Sequence, residues 1–98
     1  MTRLSDDLGQ CEHCSAILGA LAHPLRLRIV AILTEGEENV SGMTKRMDVR
    51  QSAVSQHLRI LRMSGLVASR RSNGFVLYRL TMQPLHDLIA CIERCSAS

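Results

Sequence analysis

Residues 51–63 constrain the fold most tightly, because their apolar side chains repeat with the period of an α-helix. Val54, Leu58 and Leu61 lie at positions i, i+4 and i+7, so they form one apolar stripe. The opposite face carries hydroxyl, amide and guanidinium groups and no acidic side chain. Its members are Gln51, Ser52, Ser55, Gln56, Arg59 and Arg62. Such groups contact phosphates and base edges in a DNA major groove, so this face is a candidate DNA-binding surface; the alternative is the solvated side of an ordinary helix.

A predicted β-hairpin follows this helix directly. Gly65 stands where glycine often ends a helix. Two strand-like runs, 66–72 and 75–80, are separated by Asn73-Gly74. Asn-Gly is the strongest short hairpin signal, because both central residues of a type I′ turn need a positive φ. A helix followed by a hairpin with basic residues near its tip predicts a winged helix.

A short helix is predicted before the central one. It covers residues 41–47, with Ser41 as its N-cap. The sequence therefore predicts a helix-turn-helix over about residues 41–64 and a wing over about residues 66–80. The expected fold class is mainly α with a β-hairpin wing, in the order α1-α2-α3-α4-β-β-α5.

Six short segments carry a resemblance to a known family. They are AHPLRLRI at 22–29, QSAVSQHL at 51–58, LR at 61–62, GLV at 65–67, RR at 70–71 and YRL at 78–80. With these segments the chain resembles the ArsR/SmtB family of bacterial repressors over about residues 15–95. The resemblance implies a homodimeric winged helix-turn-helix protein that binds double-stranded operator DNA. It does not imply one effector, because the family's sensing sites vary in place and chemistry.

Three further helices complete the predicted domain of residues 1–98. They cover about residues 11–21, 24–33 and 84–95. The second is apolar on nearly all sides, apart from Arg26 and Arg28, and should be buried. In the resembled family the first and last helices form the dimer interface, and a chain this short has little else to cover their apolar stripes. The last helix is expected to face a partner subunit with one stripe, formed by Leu85, Leu88, Ile89 and Ile92.

Charge is distributed unevenly along the chain, whose net charge is +3. Residues 45–71 hold seven basic side chains against Asp48 alone, and the remainder is more acidic than basic. A basic block on the candidate DNA-reading elements is the electrostatic footprint of a DNA-binding surface. Residues 35–39 form an acidic loop that we expect to be solvated charge. The chain has one Tyr, one Phe and no Trp, which argues against stacking on single-stranded nucleic acid.

Arg70 and Arg71 lie near the tip of the predicted wing. They are candidates for contact with phosphates or a minor groove, and the alternative is a charged strand edge that prevents aggregation. Since neighbouring side chains on a strand point to opposite faces, we expect one of the two to touch DNA. His23 and His57 are expected to be structural, with His57 half-buried and hydrogen-bonded.

Four cysteines form two pairs near the ends of the chain. Cys11 and Cys14 are three residues apart and Cys91 and Cys95 are four apart, so each pair lies on one helical face. This spacing suits thiolate binding of a soft metal or metalloid ion as effector, whereas small buried hydrophobic residues are the alternative. If the terminal helices pack together, the four sulfurs form one cluster, either within a protomer or across the dimer.

The chain departs from the sensing sites of the resembled family. Some members ligate metal through cysteines on the helix that precedes the DNA-reading helix, which is residues 51–63 in this chain. Residues 39–45 contain no cysteine. Others use Asp and His at the start of the last helix, where this chain has Met82 and Pro84. Persulfide-sensing members use a cysteine in the second helix, which also has none. The four terminal cysteines are therefore the sensor candidates.

These observations predict a repressor that releases operator DNA when its thiols bind arsenite, cadmium, zinc or lead. A thiol-redox or persulfide-sensing repressor and an effector-independent family member are the alternatives. A thiol oxidoreductase fits poorly, because no parallel strand precedes Cys11, and we expect no enzymatic activity. The polar start of the chain and the lack of a long apolar stretch predict a cytoplasmic protein without a membrane partner.

Overall fold

The computed structural model describes residues 3–97, and this part of the chain has the predicted order of elements. A short 3-10 turn precedes five α-helices and a two-stranded hairpin. The elements are the turn Leu4–Asp6, α1 Leu8–Leu21, α2 Pro24–Leu33, α3 Val40–Met47, α4 Gln51–Met63, β1 Val67–Ser72, β2 Phe75–Leu80 and α5 Pro84–Ser96. The predicted fold class, a winged helix-turn-helix, is confirmed.

Side-chain caps set the starts of α1 and α2. The Asp7 carboxylate accepts a hydrogen bond from the Gln10 backbone N–H at 2.9 Å, so α1 begins earlier than predicted. His23 Nδ1 accepts a hydrogen bond from the Leu25 N–H at 3.1 Å, and Pro24 occupies the first turn of α2. Within residues 3–97 no single helix has the length and apolarity of a membrane span; α1 and α2 reach both only together, across a 94° bend.

The N-cap of α3 is Asn39, and the prediction of Ser41 is wrong. Asn39 has an extended backbone, and its Oδ1 accepts a hydrogen bond from the Gly42 N–H at 2.7 Å. Ser41 already lies inside the helix. Gly42 also leaves room for the Glu38 carboxylate, which a Cβ at that position would strike. The start of α3 is therefore determined by the loop that precedes it.

The hydrophobic core is centred on α2 and α4. Its fully or nearly fully buried members are Leu21, Ile29, Val30, Ile32, Leu33, Met43, Met47, Val54, Leu58, Leu61, Leu66, Val67, Leu85 and Ile89. The predicted burial of α2 and the predicted stripe of α4 are both confirmed. Helix α2 packs against all four other helices and β2, so it fixes their relative positions.

The wing is an antiparallel hairpin with the predicted turn. Asn73 and Gly74 have φ values of 50° and 82°, as a type I′ turn requires. A third segment pairs with the hairpin: the Glu38 N–H donates to the Tyr78 carbonyl at 3.2 Å, and the Tyr78 N–H donates back at 2.9 Å. The acidic loop before α3 is thereby attached to the wing.

The stripe of α5 is divided between the core and the surface. Leu85 and Ile89 are 3% and 4% exposed, because α5 packs against α2 with this side. The prediction that both face a partner subunit is therefore wrong. Leu88 is half-buried against the same core, while Ile92 is 38% exposed. Only the end of the stripe is left for another chain.

Candidate nucleic-acid interface and cysteine pairs

The polar face of α4 lies entirely on the surface. All six predicted members are exposed, and within residues 3–97 none of their side chains has a hydrogen bond or ion pair to another residue. They are Gln51, Ser52, Ser55, Gln56, Arg59 and Arg62. Burial of the opposite stripe turns these side chains outward together. The structure thus presents one continuous polar face, and its contact with DNA stays a prediction.

The first turn of α4 has no side-chain cap, in contrast to α1, α2 and α3. Arg50 occupies the N-cap position with an extended backbone and makes no capping hydrogen bond. The N–H groups of a helix start carry partial positive charge and favour an anion. Gln51 and Ser52 therefore stand beside backbone donors that suit a phosphate.

Arg28 holds α3 in position for the helix-turn-helix. Its Nη1 donates to the Met47 carbonyl at 3.1 Å, and its Nη2 donates to the Arg46 carbonyl at 3.1 Å. These carbonyls end α3, where helix acceptors lack intrahelical partners and a cation is favourable. The sequence showed only that Arg28 interrupts an apolar helix, which was the one available signal for this role.

The two wing arginines have different surroundings. Arg70 donates to both carboxylate oxygens of Glu37 at 2.7 Å each, and this hydrogen bonding lowers the pKa of Glu37 below its usual value. Arg71 lies on the other face of β1, where Val76 of β2 is its cross-strand neighbour. Within residues 3–97 Arg71 forms no ion pair. Arg71 is thus the wing arginine that can meet a phosphate without losing a partner.

The acidic loop forms ion pairs with the basic block, so the prediction of merely solvated charge is wrong. Arg46 donates to the two carboxylate oxygens of Glu35 at 2.9 and 2.6 Å. Hydrogen bonding from Arg46 is the main cause that lowers the pKa of Glu35. An open pocket of about 210 Å³ lies between the loop, Ile32 and Arg46. Attachment of Glu38 to the wing brings the loop to these basic residues.

His57 packs against the capping histidine of α2 in a tilted arrangement. The ring centroids of His23 and His57 are 4.4 Å apart at an interplanar angle of 40°. His57 is half-buried as predicted, but within the described chain its buried Nδ1 has no hydrogen-bond partner, contrary to prediction. Burial lowers the pKa of His57, and the charges of His23 and Arg26 lower it further. A proton on His57 is therefore unfavourable in the fold.

The α1 cysteines are half-buried and hydrogen-bonded to nearby groups. The Cys11 thiol donates to the Leu4 carbonyl at 3.1 Å, and Gln10 Nε2 donates to Cys14 Sγ at 3.8 Å. The α5 cysteines, Cys91 and Cys95, are exposed. Both pairs are thus within reach of reagents from solvent, although to different degrees.

One chain does not gather the four cysteines into a single cluster. Among residues 3–97 no three Cys, His, Asp or Glu side chains are close enough to hold one metal ion. The reason is the packing: α1 contacts α2 and α4, and α5 contacts α2. The cluster within a protomer, one of two predicted arrangements, is therefore not formed, and the arrangement across a dimer stays a prediction.

Comparison with known proteins identifies related regulators. Residues 23–69 match the family described as bacterial regulatory protein, arsR family. A biofilm growth-associated repressor of Xylella fastidiosa is 42% identical over 89 residues, which cover 91% of this chain and 77% of the relative. The transcriptional activator HlyU of Vibrio cholerae is 36% identical over 84 residues, which cover 84% of this chain and 78% of HlyU.

Solved structures share the complete fold. Reduced HlyU from Vibrio cholerae matches with a TM-score of 0.86 and 30% identity over 97% of this chain and 100% of that chain. A domain from a possible ArsR-family regulator of Mycobacterium bovis, described as homodimeric, matches with a TM-score of 0.80 over 92% of this chain and 83% of that chain. At 24% identity, the second likeness concerns the fold alone.

Proposed function

This chain belongs to the arsR family of bacterial regulatory proteins and is a DNA-binding transcriptional repressor, and we propose that bridging of paired thiols on its terminal helices releases it from its operator. The observation that supports the proposal is the position of the thiols. All four cysteines lie on α1 and α5, and none lies on α4 or the wing. A reagent at these thiols acts on the arrangement of the protein rather than on its DNA-reading residues.

The same two helices carry exposed apolar side chains that suit a homodimer. Leu8 and Leu18 of α1 are 75% and 54% exposed, and Ile92 of α5 is 38% exposed. Apolar residues on two helices of a small domain are commonly covered by a second subunit. The Mycobacterium bovis domain of this fold is a homodimer. In our proposal the thiols therefore lie at or beside the dimer interface.

The DNA-binding part of the proposal assigns roles to exposed groups. The Gln56 amide can pair with an adenine edge through two hydrogen bonds. Arg59 and Arg62 supply positive charge for phosphates or guanine, and Arg71 does so from the wing. In a dimer, the two α4 helices enter successive major grooves about 34 Å apart. A small rotation between subunits changes this separation and weakens binding without altering any contact residue.

Bridging is chemically possible within each pair. Helix geometry separates Cα atoms by about 5 Å at three residues and about 6 Å at four, within the range of disulfides. In oxidation, the two thiols lose two electrons and two protons to an oxidant such as a peroxide, and an S–S bond forms. A soft ion would instead displace the two thiol protons, and a site with three or four sulfurs requires both subunits.

For either reagent, a shift in occupancy requires the bridged protein to favour the arrangement that does not bind DNA. Only the difference in affinity between the two arrangements moves the equilibrium. Soft ions suit thiolates, so we expect arsenite and cadmium to act and magnesium not to act.

The test is DNA binding during titration with each reagent. The probe is a fluorescent duplex that the wild-type protein selects from a random-sequence pool. Arsenite, cadmium or peroxide should release the wild type, whereas magnesium at matched concentration serves as the ion control. Single serine variants at Cys11, Cys14, Cys91 and Cys95 should identify the responding pair while keeping DNA affinity. Equal release of the variant with all four cysteines changed to serine would refute thiol sensing.

Two alternative functions predict different outcomes in simple assays. A thiol oxidoreductase would accelerate the reduction of insulin by dithiothreitol, which we expect this protein not to do. An effector-independent repressor would bind the selected duplex equally with and without every thiol reagent. Mass spectrometry of the treated protein separates the chemical routes, because a disulfide lowers the mass by two hydrogens and a bound ion raises it.

A further inference from the structure

The tip of the wing exposes apolar side chains. Phe75, the one phenylalanine of the sequence, is 58% exposed, and Val76 beside it is 37% exposed. Tyr78 and Leu80, farther along β2, pack against the core instead. An aromatic ring left in water at the tip of a hairpin is available for a contact, because burying it against another molecule is favourable.

The strand register places different side chains on the two faces of the wing tip. Phe75 is paired with Ser72, whereas Val76 is paired with Arg71. Because side chains alternate along a strand, Phe75 points to one face and Arg71 to the other. The tip thus presents an aromatic ring on one side and a cation on the opposite side.

Charge and position favour DNA as the occupant of this tip. Residues 64–86 contain three arginines and no acidic residue. A three-residue turn joins α4 to β1, and β1 packs against α4, so the wing adjoins the helix that carries the polar face. The carboxylate of Glu37 is bound to Arg70, whereas Arg71 and Arg79 form no ion pair within residues 3–97. A surface that combines such cations with apolar groups suits a polyanion with apolar base faces.

We propose that Phe75 is a DNA-contacting residue that enters the minor groove beside the site of α4 and reads the deformability of a base step. This inference rests on the DNA-binding role proposed above. Apolar side chains that enter a minor groove partly unstack one base step and bend the duplex. Pyrimidine–purine steps such as TA unstack most easily, so Phe75 favours them where the wing meets the duplex. Arg71, on the other face of β1, binds the adjoining phosphates or groove wall.

The experiment uses the full chain and the duplex selected by the wild type. Each flanking base step of the duplex is replaced in turn, and affinity is measured by fluorescence anisotropy. Phe75→Ala should lose about tenfold in affinity on the duplex with a TA step under the wing, and little on a duplex with a stiff step there. Phe75→Leu keeps an apolar wedge and should retain most of the preference. Met82→Ala is the matched control, since Met82 is 38% exposed and follows β2 at the other end of the hairpin.

A second readout reports unstacking directly. 2-Aminopurine placed at the flanking step should brighten on binding of the wild type, Phe75→Leu and Met82→Ala, but not of Phe75→Ala. Circular dichroism melts confirm that every variant is folded.

Four results would overturn the inference. One is equal step preference and equal brightening for the wild type and Phe75→Ala. Another is a loss of self-association in Phe75→Ala with unchanged DNA binding, which would assign the tip to a protein contact. If the wild type selects no duplex, both the proposed function and this inference fail, whereas selection without a step preference refutes this inference alone.

Discussion

Glu37 and Arg70 form a two-point ion pair, in which Arg70 Nε and Nη2 each lie 2.7 Å from a different carboxylate oxygen of Glu37. The pair joins the loop before α3 to the wing. It also places an intramolecular carboxylate on the Nε–Nη2 edge of Arg70, which a two-point phosphate contact would use. A two-point phosphate contact through the same Nε–Nη2 edge of Arg70 therefore requires loss of the Glu37 contact.

Glu37→Gln should strengthen DNA binding by releasing Arg70. One additional phosphate contact steepens the slope of log K against log salt concentration by about 0.9. The measurement is operator affinity from low to moderate salt for the wild type, Glu37→Gln, Arg70→Gln and the double variant. The gain from Glu37→Gln should vanish when Arg70 is absent.

Glu93→Gln provides the matched control for this charge change. Glu93 is an exposed acid on α5, far in sequence from the wing. Glu93→Gln should slightly change the long-range attraction between protein and DNA and leave the slope of log K against log salt concentration as in the wild type. An equal gain from both substitutions, or a gain that persists without Arg70, would show that Glu37 acts only through net charge.

The helices and the hairpin were predictable because local spacing determines them. The stripe of Val54, Leu58 and Leu61 required a helix, and Asn73-Gly74 required a tight turn with two positive φ values. Each signal spans only a few residues. The exposed face of α4 followed directly, since burial of the stripe leaves the opposite side in water.

The other features depend on contacts between distant parts of the chain. Glu37 and Arg70 are 33 residues apart, and no local pattern pairs them. Asn39 and Ser41 are equally good cap residues, and the attachment of the preceding loop to the wing decides between them. On α5, packing against α2 selects which apolar residues enter the core.

Acidification should destabilise the fold because His57 is held neutral. Burial, His23 and Arg26 depress its pKa below the usual 6.5. Above pH 6.5 His57 is neutral in both the folded and the unfolded chain, and the free energy of unfolding is not reduced by this residue. As the pH falls below 6.5 toward the folded-state pKa, the unfolded chain binds a proton at His57 that the fold does not, so the free energy of unfolding decreases progressively. Thermal melts between pH 8 and pH 5 should show this decline.

The His57→Leu variant should lose much of the decline, whereas His13→Gln, an exposed histidine of α1, should keep it. A second decline should begin as the pH falls below about 4.5, because the unfolded chain then binds protons at Glu35 and Glu37 that the ion pairs, which lower both pKa values, resist in the fold. Identical pH profiles of the wild type and His57→Leu above pH 5 would contradict the role assigned to His57.

Gln56→Ala should reduce sequence discrimination more than total affinity. A two-point contact between an amide and adenine contributes about 1–3 kcal/mol of discrimination. Arg71→Ala should weaken selected and unrelated duplexes alike, because a phosphate contact carries no sequence information. Anisotropy titrations with both duplexes at one salt concentration measure the two effects. Parallel losses for both variants would refute this division between reading and anchoring.

Leu18→Asp should convert the protein to a folded monomer. Leu18 is 54% exposed in the single chain, so the substitution removes little from the core, but it places a charge in the proposed apolar interface. Sedimentation velocity gives the assembly state, and circular dichroism confirms the helical content. Since an intact dimer sets the separation of the two α4 helices, the variant should also bind the selected duplex much more weakly.

Two comparisons separate the interface from the core. Met63→Asp alters a 76% exposed residue at the end of α4 and should leave the dimer intact. Leu85→Asp alters a residue that is 3% exposed and should unfold the monomer itself, because an unpaired charge in an apolar core is strongly unfavourable. If Leu18→Asp and Ile92→Asp both remain dimers while Met63→Asp becomes a monomer, the subunits meet through α4, and the proposed route from thiols to DNA release is wrong.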